Sequence, residues 1–242
     1  MPSKWVPLEA SPDVFNDWSK PLGLPDSLTF QDLFSLDPDF LTFIPKPHKA
    51  VLLLFPSEGK LGEAREMEDK EYNGLTGSEG KGWKGDGVWY IKQTIPNACG
   101  SIGLLHALLN LPEQSPDALA PDSHLAKFKA ESLSKTPIER AKLLDEADFF
   151  TAAHTAAAQT GQSAIPEDLD VTTHFITFVE GVNENGEKRT VELDGNRSGP
   201  FDQGPSVNFL EDVAKVVQEK YFDRADGDVN FNMIVLAGHP ED

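Results

Sequence analysis

The stretch "HFITFVEGVNENGEKRTVELDG", residues 174–195, predicts a pair of neighbouring β-strands. Both halves are rich in β-branched and aromatic residues, and Asn185-Gly186 between them is typical of a tight hairpin turn. Antiparallel pairing brings the start of the first strand beside the end of the second. The sequence therefore predicts that His174 and Asp194 are neighbours in space.

The segments around this hairpin predict a mixed α+β fold. Prolines and capping residues at helix starts, and apolar residues at helical spacing, predict helices at residues 11–23, 37–43, 123–133, 136–150 and 207–222. The last of these has a predicted apolar stripe at Val207, Leu210, Val213, Val217 and Tyr221. Strands are predicted at residues 49–56, 88–94 and 228–238, the first buried on both faces. Helices cluster mainly before the hairpin, which favours a largely antiparallel sheet packed by helices.

Composition and charge restrict the class of protein. The chain has 242 residues, 39% of them hydrophobic and 25% charged, which is typical of a globular protein. It has 21 Lys and Arg against 40 Asp and Glu, a net charge of −19, which disfavours nucleic acid and anionic membranes as partners. The charge alone leaves open whether it attracts a basic partner or only maintains solubility. One cysteine and no signal-peptide pattern favour the cytoplasm, with the nucleus as an alternative.

The single cysteine lies in "QTIPNACGSIGLLHALLN", residues 93–110. Asn97 is predicted to cap a helix whose first residue is Ala98 and whose second is Cys99. Unpaired N–H groups and the positive end of the helix dipole favour the thiolate at such a position, as a nucleophile requires. The alternative is a buried structural cysteine, since free cysteine is often found in cores.

A cysteine nucleophile needs a base, and the chain offers six histidines. His106 lies seven residues along the same predicted helix, about 10 Å from Cys99, and is too far to act. His174 is favoured, because the strand fixes its position and Asp194 can orient its ring. Gln93, six residues before Cys99, can donate to an oxyanion together with the Cys99 N–H. Each residue also has a plain structural interpretation: a core histidine, an Asp-Gly turn and a polar strand end.

Two other segments are interpreted as loops. Residues 73–87 are rich in glycine and contain G-x-G-x-x-G, but this motif precedes a predicted strand instead of following one. A dinucleotide site is therefore rejected and a flexible surface loop is favoured. Residues 152–173 begin alanine-rich and then break at Gly161 and Pro166.

The segments "QTIPNACGSIGLLHALL", "HFITFV" and "ELDGNRSGP" resemble the ubiquitin carboxy-terminal hydrolases, which are papain-like thiol proteases. The resemblance implies one catalytic domain over residues 1–242, with a central antiparallel sheet between helices and a knotted chain. It assigns the nucleophile to Cys99, the base to His174, the orienting carboxylate to Asp194 and the oxyanion donor to Gln93. It also places a crossover loop over the active site at residues 152–173.

The implied reaction is hydrolysis after the C-terminal glycine of ubiquitin, through a thioester and with small or unfolded leaving groups. No cofactor and no metal are implied. The expected partner is ubiquitin, with the related modifier NEDD8 as an alternative, and the expected state is a monomer. Acidic side chains near the cleft are expected to meet the arginine-containing tail of ubiquitin. Two other functions stay open at this point: a ubiquitin-binding module without turnover, and a cysteine amidase for small molecules.

Overall fold

A computed structural model describes residues 5–74, 82–162 and 171–240 of the chain. Within them one antiparallel sheet of six strands has the order β1-β6-β2-β3-β4-β5. The strands are β1 (Leu28–Asp32), β2 (His48–Pro56), β3 (Thr173–Val182), β4 (Lys188–Leu193), β5 (Phe201–Pro205) and β6 (Asn232–Gly238). The helices are α1 (Pro12–Ser19), α2 (Pro38–Leu41), α3 (Gly59–Gly74), α4 (Cys99–Leu109), α5 (His124–Ser132), α6 (Pro137–Asp145), α7 (Asp148–Ala158) and α8 (Phe209–Lys220). The predicted α+β class with an antiparallel sheet is confirmed.

The predicted hairpin is formed by β3 and β4. Their pairing runs from Thr177 opposite Leu193 to Val182 opposite Lys188. Gly186 in the turn has a φ of 79°, a left-handed conformation that glycine adopts without steric cost. Strand β2 lies in the middle of the sheet between β3 and β6, and both of its faces are buried as predicted.

Apolar side chains form a core on each face of the sheet. One core contains side chains of α1, α4, α5, α6 and α7, including Phe15, Leu104 and Phe150. The other contains side chains of α2 and α8, including Val213 and Val217. The sheet is therefore covered by helices on both sides, and burying both faces accounts for the apolar sequence of its central strands.

Helix starts follow the predicted capping residues. Thr136 and Glu139 form a capping box at α6, each side chain accepting a hydrogen bond from the backbone N–H of the other. Ser123 accepts from the N–H of Ala126 at the start of α5, and Asp37 caps α2. Ser11 precedes α1 as predicted but makes no side-chain capping bond.

Several predicted elements need correction. Residues 88–94 are not a strand, because their N–H groups bond to groups outside the sheet: Lys92 N–H to the O of Pro137 at the start of α6, and Ile91 N–H to a His106 ring nitrogen. The predicted helix at 136–150 is two helices, α6 and α7, separated at residues 146–147. Val207 lies before α8 and is 92% exposed, so it is not part of the apolar stripe.

The two predicted loops are only partly loops. Residues 73 and 74 are the end of α3, and residues 152–158 belong to α7, where alanine favours the helix. Residue 173 begins β3. Residues 75–81 and 163–170, which make up a large part of these two segments, lie outside the described residues. Among the helices of the described part, none is long and apolar enough to cross a membrane.

Candidate active site

A cleft of about 500 Å³ lies where α4, the start of β3 and α3 meet. All four residues that the sequence singled out contribute to its wall. Its lining also includes residues that the sequence did not predict, on α3 and on the loop after β4. The lining includes Phe55, Arg65, Glu66, Asp69, Gln93, Cys99, His174, Asp194 and Arg197.

Cys99 is the first residue of α4 and not the second as predicted, because the helix begins one residue later than expected. Asn97 has a φ of 63°, so it lies in the left-handed region and cannot be the capping residue. Ala98 occupies the cap position instead, and its carbonyl accepts from the N–H of Ile102. The thiol still lies in the first turn, and the Cys99 N–H is one of the donors without an intrahelical partner, as it would also be in the predicted register.

Close packing of α4 against β3 places the thiol beside His174. The backbone N–H of Phe175 donates to the Cys99 sulfur. Two residues further along β3, Thr177 Oγ1 donates at 2.9 Å to the O of Gly103, which is four residues further along α4. Four helical residues rise about 6 Å and two strand residues about 6.6 Å, so these steps along α4 and β3 cover nearly the same distance and both contacts can form. A Cβ at Gly103 would approach the side chains of Leu52 and Thr177 at 3.1–3.2 Å, so a larger residue would require these side chains to shift.

His174 and Asp194 are hydrogen-bonded, as predicted from the hairpin. His174 Nε2 lies 2.7 Å from Asp194 Oδ1, and the two side chains are 10% and 4% exposed. The N–H of Asn196 also donates to Asp194 Oδ1, at 2.8 Å. Since Nε2 faces the carboxylate, Nδ1 is left for the hydrogen bond to Cys99.

The surroundings favour a thiolate–imidazolium pair. Burial raises the pKa of the Cys99 thiol, but the hydrogen bond and charge of His174 and the N–H groups of Phe175 and Gly100 outweigh it, and the net pKa is lowered. Burial lowers the pKa of His174, but the charge and hydrogen bond of Asp194 raise it well above its ordinary value. Both shifts favour a proton on the imidazole and a negative charge on the sulfur, which is the reactive form of a cysteine.

Gln93 is held against the turn that carries Asp194. Its N–H donates to Gly195 O at 2.9 Å, and a Cβ at Gly195 would lie 2.8 Å from the Gln93 Cβ. Only glycine allows this approach. The Gln93 Oε1 is buried and has no hydrogen-bond partner among the described residues, and the side chain lines the cleft with Cys99. The NH2 group of a side-chain amide that lines the cleft with Cys99 can donate to developing negative charge.

Comparison with known proteins agrees with this geometry. The sequence model of the family 'ubiquitin carboxyl-terminal hydrolase, family 1' matches residues 5–221 of this chain. The chain belongs to this family. It is 38% identical to ubiquitin carboxyl-terminal hydrolase 3 of Arabidopsis thaliana over 97% of this chain and 94% of that protein. It is 34% identical to the human isozyme L1, over 95% and 96% of the two chains.

Solved structures support the same fold. The catalytic domain of Trichinella spiralis UCH37, bound to ubiquitin vinyl methyl ester, matches with a TM-score of 0.72 over 98% of this chain and 96% of that chain, at 23% identity. As a member of its family, the chain is a cysteine-type deubiquitinase that hydrolyses bonds at the C-terminus of ubiquitin.

Other histidines of the hydrolase have structural contacts away from the thiol. His106 stacks on Tyr90 at 5.3 Å and accepts from the Ile91 N–H, and burial lowers its pKa to about 3. His154 bonds to Ser101 and to Val6 O, at 2.8 and 2.7 Å. Among the described residues, no group of three or more His, Cys, Asp and Glu is arranged to hold a metal ion.

The wall formed by α3 was missed in the sequence. Its Arg65 reaches Asp194, and Arg197 on the loop after β4 bonds to Glu192 and to Glu68 of α3. No periodic apolar pattern marks this helix, since Leu61 is the single buried side chain among its residues 59–72. The charged residues along α3 are a weak signal in the sequence, because their role becomes clear only once the positions of their distant partners are known.

Proposed function

We propose that Cys99, His174, Asp194 and Gln93 carry out the hydrolysis by acyl transfer. The Cys99 thiolate attacks the carbonyl carbon of the terminal glycine of ubiquitin. The Gln93 amide and the Cys99 N–H stabilise the oxyanion. The His174 imidazolium gives its proton to the leaving amine, which departs and leaves a thioester on Cys99. His174 then takes a proton from water, whose oxygen attacks the thioester and releases the ubiquitin carboxylate.

The continuous chain of contacts from Cys99 through His174 to Asp194 is the observation that carries this proposal. The histidine contacts both the sulfur and, at 2.7 Å, the carboxylate. Both partners are needed for the proton transfers, because the thiolate requires a cation and the imidazole requires a fixed orientation. Gln93 and Cys99, whose N–H is the first of α4, both line the cleft and are the proposed oxyanion donors.

Ubiquitin is the proposed protein partner, and its basic tail is proposed to be attracted by the net charge of −19. Glu66, on the α3 wall of the cleft, is 75% exposed and is the acid we propose for contact with this tail. Raising the salt concentration should raise KM and leave kcat nearly unchanged, because screening weakens encounter between exposed charges. A KM independent of salt would contradict this electrostatic contribution.

The crossover segment is proposed to restrict the leaving group. The family resemblance assigns the crossover loop to residues 152–173, a segment that begins within α7 and ends at the first residue of β3, the strand of His174, and such a loop would limit the size of the leaving group. Ubiquitin fused to a short peptide should be cleaved, and ubiquitin fused to a stably folded domain should be resistant until that domain is unfolded. Equal cleavage of both fusions would contradict this restriction.

A ubiquitin probe with a C-terminal electrophile tests the central proposal. Covalent attachment is expected at Cys99 and is expected to be lost in Cys99→Ala. A module that only binds ubiquitin would bind without reacting, and a small-molecule amidase would not discriminate in favour of the probe over a short Gly-Gly electrophile. A matched NEDD8 probe, compared by its rate of attachment, decides whether that modifier is also accepted.

A further inference from the structure

Arg65 of α3 bridges the active-site carboxylate and a second buried acid. Its Nη2 donates to Asp194 Oδ2 at 2.6 Å, and its Nη1 donates to Glu192 Oε1 at 3.0 Å. The Arg65 side chain is 12% exposed, and the two carboxylates are 4% and 1% exposed. We propose that Arg65 is a positioning residue of this enzyme, which fixes the Asp194 carboxylate and keeps it ionised so that His174 is oriented towards Cys99. This inference rests on the function proposed above.

The first argument is geometric. Asp194 Oδ1 already accepts from His174 and from the Asn196 N–H. The terminal torsion of an aspartate is soft, so contacts at one oxygen leave the carboxylate plane poorly defined. Arg65 holds the other oxygen, Oδ2. With both oxygens fixed, the plane of the carboxylate is defined and with it the direction in which the His174 ring is held.

The second argument concerns charge. An unpaired carboxylate buried as deeply as Asp194 would tend to become protonated. Burial does raise the pKa of Asp194, but the charges and hydrogen bonds of His174 and Arg65 outweigh it, and its net pKa lies well below the ordinary range. Three guanidinium groups face three carboxylates in this cluster. They are Arg65, Arg197 and Arg224 against Glu68, Glu192 and Asp194.

Arg65 is itself held in place from several sides. Its guanidinium lies over the Phe55 ring at 4.8 Å and over the Tyr221 ring at 5.2 Å. A lysine would retain the charge but could not contact two carboxylates with a planar fork. Other titratable or charged groups act on this cluster from the surrounding elements: Asp69, Tyr72, Tyr90, Lys92, Cys99, His106, His174, Lys220 and Tyr221.

The test compares Arg65→Met and Arg65→Lys with Arg224→Met, on a fluorogenic amide of ubiquitin. Arg224 contributes a charge to the same cluster through Glu68, at 3.0 Å, but makes no contact with Asp194. Both Arg65 variants should lower kcat by roughly ten- to a hundredfold with KM nearly unchanged, because misorientation acts on the reaction and not on binding. The kcat of Arg224→Met should stay within about threefold of that of the parent enzyme.

The pH profile of kcat/KM separates positioning from a purely structural role. Its acid limb follows formation of the Cys99 thiolate. Loss of a nearby positive charge raises the pKa of that thiol, so Arg65→Met should move the acid limb up by about one pH unit. Arg65→Lys keeps the charge and should leave the limb in place while kcat falls. Arg224→Met should leave both unchanged.

Thermal unfolding and binding of ubiquitin, the latter in a Cys99→Ala background, establish that each variant is folded. If Arg65→Met does not fold, the kcat and KM of Arg65→Lys decide. An acid limb unmoved in a folded Arg65→Met, or a change in KM alone, would overturn the positioning role and assign Arg65 to substrate binding or to structure. A parent enzyme that does not react with the ubiquitin probe would instead overturn the function proposed above.

Discussion

Two helices form opposite walls of the cleft, and they are held by different forces. All eleven residues of α4 are buried, and its side chains are almost all apolar. Among residues 59–72 of α3, Leu61 alone is buried, and the helix is held to the sheet by Arg65, Glu68 and Asp69 through ion pairs and hydrogen bonds. Cys99 is on the apolar helix, and the contact of Arg65 with Asp194 comes from the charged one.

This difference has a physical consequence for each half of the site. Apolar packing is dense and non-directional, so α4 resists displacement and keeps Cys99 at a fixed height along β3. Ion pairs with hydrogen bonds are directional, so α3 can fix the orientation of a carboxylate, which packing alone cannot do. Their strength depends on pH, whereas that of apolar contacts does not. The two helices should therefore fail under different perturbations.

The largest effect is expected at the start of α4. Cys99→Ala removes the nucleophile and should abolish turnover, because no other thiol exists in the chain. Calorimetric titration should show that ubiquitin binding is retained, since the sulfur is small and 7% exposed. Measurable turnover in this variant would mean that α4 does not supply the nucleophile.

A second substitution tests whether packing holds α4. Leu104 is fully buried, and Leu104→Ala should lower the free energy of unfolding by about 2–5 kcal/mol. Met67 on α3 is 63% exposed, and Met67→Ala should change it by less than about 0.5 kcal/mol. Denaturant unfolding measures both values. Similar losses in the two variants would remove the contrast between the helices.

Gln93 lies between the two walls, since it precedes α4 and contacts the turn of Asp194. Gln93→Ala should lower kcat by roughly one hundred- to one thousandfold, the usual loss for an oxyanion donor. Gln218→Ala is a suitable control, because this glutamine lies on α8 and its side chain bonds to the exposed Asp223. Steady-state kinetics with full activity in Gln93→Ala would exclude it from the reaction.

Acid should loosen α3 before α4. Hydrogen bonds and charges of Arg197 and Arg224 outweigh burial and lower the pKa of Glu68 to about 2, from an ordinary value near 4.5. A lowered carboxylate pKa stabilises the fold above pH 4.5, and this contribution of about 1–2 kcal/mol is lost as the pH falls from 4.5 towards 2.

Hydrogen exchange measured by mass spectrometry at pH 5 and pH 3 checks this expectation. Amides of α3 should lose protection at pH 3, while those of α4 should keep it. Glu68→Gln has no charge at this position to lose. In this variant the amides of α3 should already be less protected at pH 5, and their protection should change less with pH. Equal loss of protection in both helices at pH 3 would indicate global unfolding instead.

The residues that the sequence located correctly share one property: local sequence determines their surroundings. The β-branched and aromatic residues and the Asn185-Gly186 turn define the β3–β4 hairpin, and the hairpin brings His174 to Asp194. The thiol was placed at a helix start, and the error of one residue arose because Asn97 adopts a left-handed φ, which residue type does not reveal.

Other errors came from segments whose partners are distant in sequence. Residues 88–94 have the composition of a strand, but their N–H groups bond to loops and side chains, among them Asn110 and Gly195. Arg65 lies 129 positions from Asp194, on a helix that has no apolar periodicity. A charged side chain that pairs with a distant acid looks the same in sequence as one that faces water.

The sequence by itself thus determined the hairpin, the helix of Cys99 and the proximity of His174 to Asp194, because short-range patterns of burial and turn chemistry specify them. Tertiary structure alone decided which cations balance the buried carboxylates and which backbone groups meet the thiol. The physical reason is that hydrophobic burial repeats with the period of the helix or strand, whereas an ion pair depends on a single distance between two side chains and leaves no periodic signal.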